Sequence, residues 1–218
     1  MWSEIDPSFV STLNFKHLLS QGLDLDNNSE EASSFIQHFY FGEEKITQNV
    51  KLEFTDFASD FLFNHPTQRM AEQFLDNGAE TVYRYLFSYS GGRNLVTIAL
   101  NLNSTGATHA DELGYLFDVE MFSGENTPED QLVIDRMTTL WTNFAKYGNP
   151  TPEISELLPV QWEPMTRTKQ IYLEINSNLT IKSRPFNDRM AFWDVFYKLY
   201  RNQQEYQKII TLGMSPFH

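Results

Sequence analysis

The segment "TVYRYLFSYS" (Thr81–Ser90) constrains the fold more than any other part of the chain. β-branched and aromatic residues occupy consecutive positions there, which suits a strand covered on both faces rather than one alternating between core and solvent. Gly91-Gly92 ends the run. A strand of that kind belongs to a parallel sheet, whose connections are long and usually helical. A second strand is expected at "QIYLEI" (Gln170–Ile175). Two strands so far apart do not complete a sheet alone, so the pattern reads as part of a larger α/β sheet.

The rest of the chain supplies helices. "EASSFIQHFYF" (Glu31–Phe41) is a short amphipathic segment. "EKITQNVKLEFTDFASDFLFN" (Glu44–Asn64) sets Ile46, Val50, Phe54, Phe57 and Phe61 at helical steps of three and four. "PTQRMAEQFLDNG" (Pro66–Gly78) opens on proline and closes on Asn-Gly, a start and stop pair. The clearest helix is "TPEDQLVIDRMTTLWTNFAKYGNP" (Thr127–Pro150). Thr127 caps it, Glu129 and Asp130 complement its dipole, and Gly148 with Pro150 stops it. Val133, Met137, Leu140, Trp141 and Phe144 are its expected buried stripe. An aromatic-rich amphipathic helix, "NDRMAFWDVFYKLYRN" (Asn187–Asn202), follows the second strand.

With 218 residues, 41% hydrophobic and 15% aromatic, the chain can build one sizeable core. Its net charge of −13 argues against a nucleic-acid partner, because phosphate binding needs a basic footprint. There is no cysteine, so disulfides, thiolate metal sites and cysteine nucleophiles are excluded within this stretch. No apolar run approaches membrane-spanning length, and "MWSEIDPSFV" is not a signal peptide. Asn-x-Ser/Thr sequons stand at Asn27, Asn103 and Asn178, which tilts the expected compartment towards secretion.

Of the five histidines, His17, His38, His65 and His218 fall on helical surfaces or chain ends, where a solvated or capping role is expected. His109 differs. In "NSTGATHADELGYLF" (Asn103–Phe117), Gly106 permits a tight turn, Ala107 and Ala110 leave room beside the ring, and Asp111 and Glu112 follow at once. "HADE" lacks the second histidine of a zinc-binding His-Glu-x-x-His helix, so no metal and no cofactor are expected. Asp111 and Glu112 read as supports of the loop.

Several motifs then occur in a telling order: "GATHADELGYLF", "LWTNFAKYGNPTP", "QWEPMT", "YLEINSNLTI" and "RMAFWD". Together they resemble the C-terminal part of the type-B carboxylesterase/lipase (cholinesterase-like) family, with a tone closest to insect esterases. The resemblance is specific from Thr81 to Trp193 and softer before Thr81. It implies that residues 1–218 are the C-terminal portion of a single α/β-hydrolase domain, with helices flanking the last strands of the sheet. It also implies hydrolysis of small hydrophobic carboxylic esters by a Ser-acid-His triad, ordered in that sequence along the chain. His109 matches the family's catalytic histidine, and Glu112 matches an acidic position beside it.

The rest of the triad does not follow. No Gly-x-Ser-x-Gly elbow exists in the sequence, and the family's oxyanion-hole glycines are also missing. Glu4 is the one candidate near the expected place of the acid, yet Ile5 and Asp6 follow it instead of the usual glycine. The expectation is therefore a fragment of an esterase, inactive in isolation, with strand edges left open. A non-catalytic adhesion or binding module with the same fold is the alternative.

Overall fold

The computed structural model describes residues 19, 29–44, 48–103, 106–122 and 124–211. Glu4, His17, Asn27, Ile46 and His218, all weighed above, lie outside them. The architecture is α/β, with helices and one three-stranded sheet. The chain divides into two compact units. One is built on Thr67–Pro185, the other on described residues up to Pro66 together with the chain from Phe186 onward.

The second of these units is helical. α1 (Ser29–Phe41) buries Ala32, Ile36 and Tyr40 at steps of four. A 3-10 turn (Gln48–Val50) leads into α2 (Lys51–Ser59), which buries Phe54, Phe57 and Ala58. The long α7 (Asn187–Thr211) adds Met190, Trp193, Phe196 and Tyr200, again at helical spacing. These residues form one aromatic core. At its centre the Trp193 indole donates to the Tyr40 hydroxyl (2.7 Å), which donates to Asp60 (2.8 Å). Asp60 is fully buried, accepts from Asn64 (2.8 Å) and pairs with Arg189 (2.7 Å). Burial pushes its carboxyl pKa up, against the hydrogen bonds of Asn64 and Tyr40 and the charge of Arg189.

Within the expected helix Glu44–Asn64, the described residues from Gln48 onward thus form three pieces. After α2 the backbone widens into a π turn (Asp60–Asn64), in which the His65 N–H reaches back five residues to the Asp60 carbonyl. It passes directly into α3 (His65–Asp76), so Pro66 lies within a continuous helical run instead of starting one. Proline offers no N–H and clashes with the carbonyl four residues before it; the wide turn takes up that conflict. His65 is also not on a surface. It is 1% exposed, with Nε2 3.0 Å from Asp194 Oδ1 and its ring stacked on Tyr197. Its position four residues after Phe61 and eleven after Phe54 continues the buried stripe of the preceding helix, a continuation that the sequence reading did not follow past Phe61.

In the other unit, both expected strands are present: β1 (Tyr85–Phe87) pairs in parallel with β2 (Ile171–Ile175), with Tyr85 opposite Leu173. The expected strand Thr81–Ser90 shrinks to this short piece: bonds to β2 extend only from the Arg84 carbonyl to the Ser88 N–H, and the chain before Arg84 bonds elsewhere. The Val82 carbonyl accepts from Met165 N, outside the ladder. β1 is the edge of the sheet, and its residues are half-buried or exposed rather than covered on both faces. A third strand, β3 (Leu179–Ser183), pairs antiparallel with β2, Ile175 opposite Leu179. Its missed signal was the Asn-Ser-Asn turn at Asn176–Asn178, set between alternating apolar residues.

α6 (Pro128–Tyr147) matches the expected helix closely. The Thr127 hydroxyl accepts from Asp130 N (3.1 Å), and Gly148 adopts the left-handed conformation (φ 65°). Val133, Met137 and Leu140 are buried, but Trp141 is half-buried and Phe144 is 49% exposed. Arg136 takes a place on the buried side instead, donating to the Leu157 carbonyl (3.0 Å) and the Ser177 carbonyl (2.5 Å). Thr127→Ala is expected to cost about 1 kcal/mol through the lost cap. Gly148→Ala is expected to cost about 1–2 kcal/mol through left-handed strain. Urea denaturation followed by circular dichroism measures both.

Candidate active site

His109 sits in a tight turn whose ends are joined by the Asp111 N–H to the Thr108 carbonyl (3.1 Å). The turn projects the imidazole to the surface. The left-handed residue is Ala110 (φ 68°), not Gly106, which has an ordinary φ. An alanine in that conformation costs about 1–2 kcal/mol, so something must hold it.

Asp111 does. Its carboxylate has no solvent exposure and accepts four hydrogen bonds. Oδ1 takes the Thr97 N–H (2.8 Å). Oδ2 takes the Thr97 hydroxyl (2.6 Å), the Thr108 N–H (2.7 Å) and the Asn94 amide (3.1 Å). One side chain thereby ties the histidine turn to α4 (Leu95–Ala99) and to the residue before it. The Leu95 N–H adds a bond to the Asp111 carbonyl (3.3 Å).

Asn94 passes the restraint inward. It is 1% exposed, donates to the Tyr89 carbonyl (3.0 Å), and accepts from Gly91 N (2.9 Å) and the Tyr115 hydroxyl (2.9 Å). Tyr115, on α5 (Leu113–Leu116), also lies 3.2 Å from Asp130 Oδ1 and accepts from Arg93 N. Asp130 gathers the Tyr89 hydroxyl (3.2 Å), Gly92 N (3.1 Å) and the Thr127 hydroxyl (2.7 Å) at the N-terminus of α6. Burial first, then the Asp130 charge, pushes the Tyr89 phenol up to about 12. Gly91 is required by this crowding: a Cβ there would lie 2.2 Å from Asp130 Oδ1 and 2.7 Å from the Tyr115 hydroxyl. The sequence reading took Asp130 as a dipole complement only and passed over Asn94, Thr97 and Tyr115. Polar residues inside "GGRNLVT" were the available signal.

Glu112 follows the turn and accepts from the Tyr85 hydroxyl on β1 (3.3 Å). Tyr85 packs edge-on against Trp141 at 5.0 Å. With Tyr83, Leu140, Phe144, Pro150 and Trp162 these two line an apolar cavity of about 180 Å³. The structure therefore brings His109, Asp111 and Glu112 into one braced turn beside an aromatic surface. Among the described residues no cluster of three or more His, Asp or Glu could hold a metal ion, and no helix is long and apolar enough to cross a membrane.

The model of the carboxylesterase family matches residues 3–193, nearly the whole chain and all of the braced turn. The chain belongs to the carboxylesterase family. Esterase FE4 of Myzus persicae is 30% identical over 154 residues, which cover 68% of this chain and 27% of that protein. Juvenile hormone esterase of Heliothis virescens is 29% identical over 175 residues, covering 77% of this chain and 30% of the relative. Human bile salt-activated lipase is 30% identical over 162 residues, covering 72% and 21%. The chain thus spans under a third of the length of these relatives.

Asp111→Ala would strand the Thr97 and Thr108 amides, at about 1–3 kcal/mol for each buried donor left unpaired. A lower urea midpoint and faster hydrogen exchange at both amides are expected. Burial, followed by the Glu112 charge and hydrogen bond, pushes the Tyr85 phenol up to about 12. Removing a negative neighbour favours the phenolate, so Glu112→Gln lowers that pKa towards 10 while burial keeps it above. Ultraviolet titration of a Tyr85→Phe difference pair reads this.

Proposed function

We propose that this chain is the C-terminal part of an α/β-hydrolase domain that hydrolyses small hydrophobic carboxylic esters by a Ser-acid-His mechanism. His109 is the general base. In the first step its imidazole takes the proton from the serine hydroxyl as the oxygen attacks the ester carbonyl. It then returns that proton to the departing alcohol, and it repeats both roles when water cleaves the acyl-enzyme. The serine and its oxyanion donors come from residues other than these, so the chain by itself is inactive. Glu112 biases the field beside the imidazole, and Asp111 fixes the turn through its bonds to Asn94, Thr97 and Thr108. A secreted enzyme is the compartment reading the sequons favour.

The observation that carries this reading is the braced histidine turn in a chain of the carboxylesterase family. A general base must present one ring nitrogen in fixed geometry, and loops held by a rigid scaffold are where such groups sit. The parallel pair β1–β2 supports placement within a larger sheet, because parallel strands are normally covered on both faces whereas β1 is half-buried or exposed.

The test is a chimera in which this chain replaces the matching portion of Esterase FE4, with p-nitrophenyl acetate as substrate. Turnover is expected in the chimera, and His109→Ala is expected to reduce kcat/KM by about 10³-fold or more. The 218-residue chain alone is expected to show no turnover above its own His109→Ala control. A folded chimera whose activity survives His109→Ala overturns the assignment and favours the non-catalytic module.

A further inference from the structure

The β2–β3 hairpin carries a feature that ester hydrolysis does not use. Its turn and first β3 residues spell Asn178-Leu179-Thr180, an acceptor sequon for N-linked glycan. The hairpin register decides where those three side chains go. Leu179 stands opposite Ile175 and is 6% exposed, buried in the core with Leu173 and Val133. Strand alternation then sends its two neighbours the other way, and both Asn178 and Thr180 are exposed. A buried leucine between two exposed residues locks the sequon outward, since a one-residue slip would bury Asn178 and Thr180 together.

The inner side of the turn is already occupied. Asn176 Nδ2 donates to the Ser88 carbonyl (3.3 Å) and hydroxyl (3.0 Å), and its Oδ1 accepts from Ser177 N (2.8 Å). The Ser177 carbonyl accepts from Arg136 (2.5 Å), and the Asn178 carbonyl accepts from Asn176 N (3.2 Å). These bonds fix the hairpin through Asn176, Ser177 and the backbone. The Asn178 carboxamide makes no hydrogen bond among the described residues, so substituting its nitrogen breaks nothing. Asn103 is also exposed, but its sequon partners fall outside the described residues, as does Asn27.

We infer that Asn178 is an N-glycosylation acceptor and that the fold accommodates the glycan without rearrangement. In the transfer, the Asn178 Nδ2 forms a bond to the anomeric carbon of a lipid-pyrophosphate-linked oligosaccharide. The bond from that carbon to the pyrophosphate oxygen breaks, the lipid pyrophosphate leaves, and the amide gives up one proton. The Thr180 hydroxyl, two residues on and on the same face, is the element the transferase reads beside the asparagine.

The full chain behind a cleavable signal peptide, expressed in a eukaryotic secretory host, provides the test. Peptide N-glycosidase in ¹⁸O-water converts each glycosylated asparagine to labelled aspartate, which mass spectrometry locates. The label is expected at Asn178 in most molecules, lost in Asn178→Gln and Thr180→Ala and kept in Thr180→Ser. Translation with microsomes gives the same reading for any variant that fails to fold. An unlabelled Asn178 in signal-processed chains overturns the inference, whether or not Asn103 or Asn27 is labelled. The glycosylated chain is expected to match Asn178→Gln in urea midpoint; a lower midpoint would show that the glycan disturbs the hairpin and overturn the accommodation.

Discussion

The site depends on one buried carboxylate. Asp111 is a charge without access to water, a situation that is costly unless the charge is fully hydrogen-bonded. Four donors from Asn94, Thr97 and Thr108 meet that need, and together they draw the Asn94–Thr97 segment and the histidine turn to the same point. The result is a turn that tolerates a left-handed alanine next to the histidine. Without the carboxylate the strain at Ala110 would be opposed only by backbone bonds such as those from Asp111 N to the Thr108 carbonyl and from Leu95 N to the Asp111 carbonyl. The restraint extends through Asn94, Tyr115 and Asp130 to the capped end of α6, so the turn is anchored in the most regular helix of the unit.

This arrangement separates two demands that conflict in a single residue. A proton-transfer group has to remain accessible, while its position has to be rigid. Here the imidazole is exposed, and rigidity comes from the buried neighbour two residues later. Glu112 occupies the next position and faces the β1 tyrosine, adding a negative charge at the boundary between turn and aromatic surface.

Much of this was legible in the sequence, for reasons that differ by element. α6 was readable to within a residue because Thr127, Pro128 and Gly148 mark its ends by local chemistry alone. The existence of β1 and β2 followed from the apolar character of both runs, but their direct pairing did not. The length of β1 did not, because Val82 is claimed by Met165, a partner no local pattern announces. β3 was missed because its outward positions are polar and its turn lacks glycine. His65 was misplaced because its polar ring at a helix junction was read as solvated, although it stands four residues after Phe61 on the stripe that Phe54, Phe57 and Phe61 define. The supports of His109 split in the same way. Asp111 stood out by adjacency, whereas Asn94 and Thr97 stand 17 and 14 residues before it, beyond the reach of a helix or strand pattern.

The bond from Asn176 to Ser88 has a temporal side. Those residues are 88 apart in the chain, and the histidine turn and α6 both lie within the span they close. Closing such a span costs about 4 kcal/mol of chain entropy before any contact offsets it. At roughly 5–20 residues per second of synthesis, β1 leaves the ribosome about 4 to 18 seconds before β2 does. Throughout that interval the aromatic edge strand waits without its ladder partner, while the Asp111 clamp, built from residues between 94 and 111, can already close. The histidine turn is therefore a local structure that can form early, set inside a sheet that can only form late.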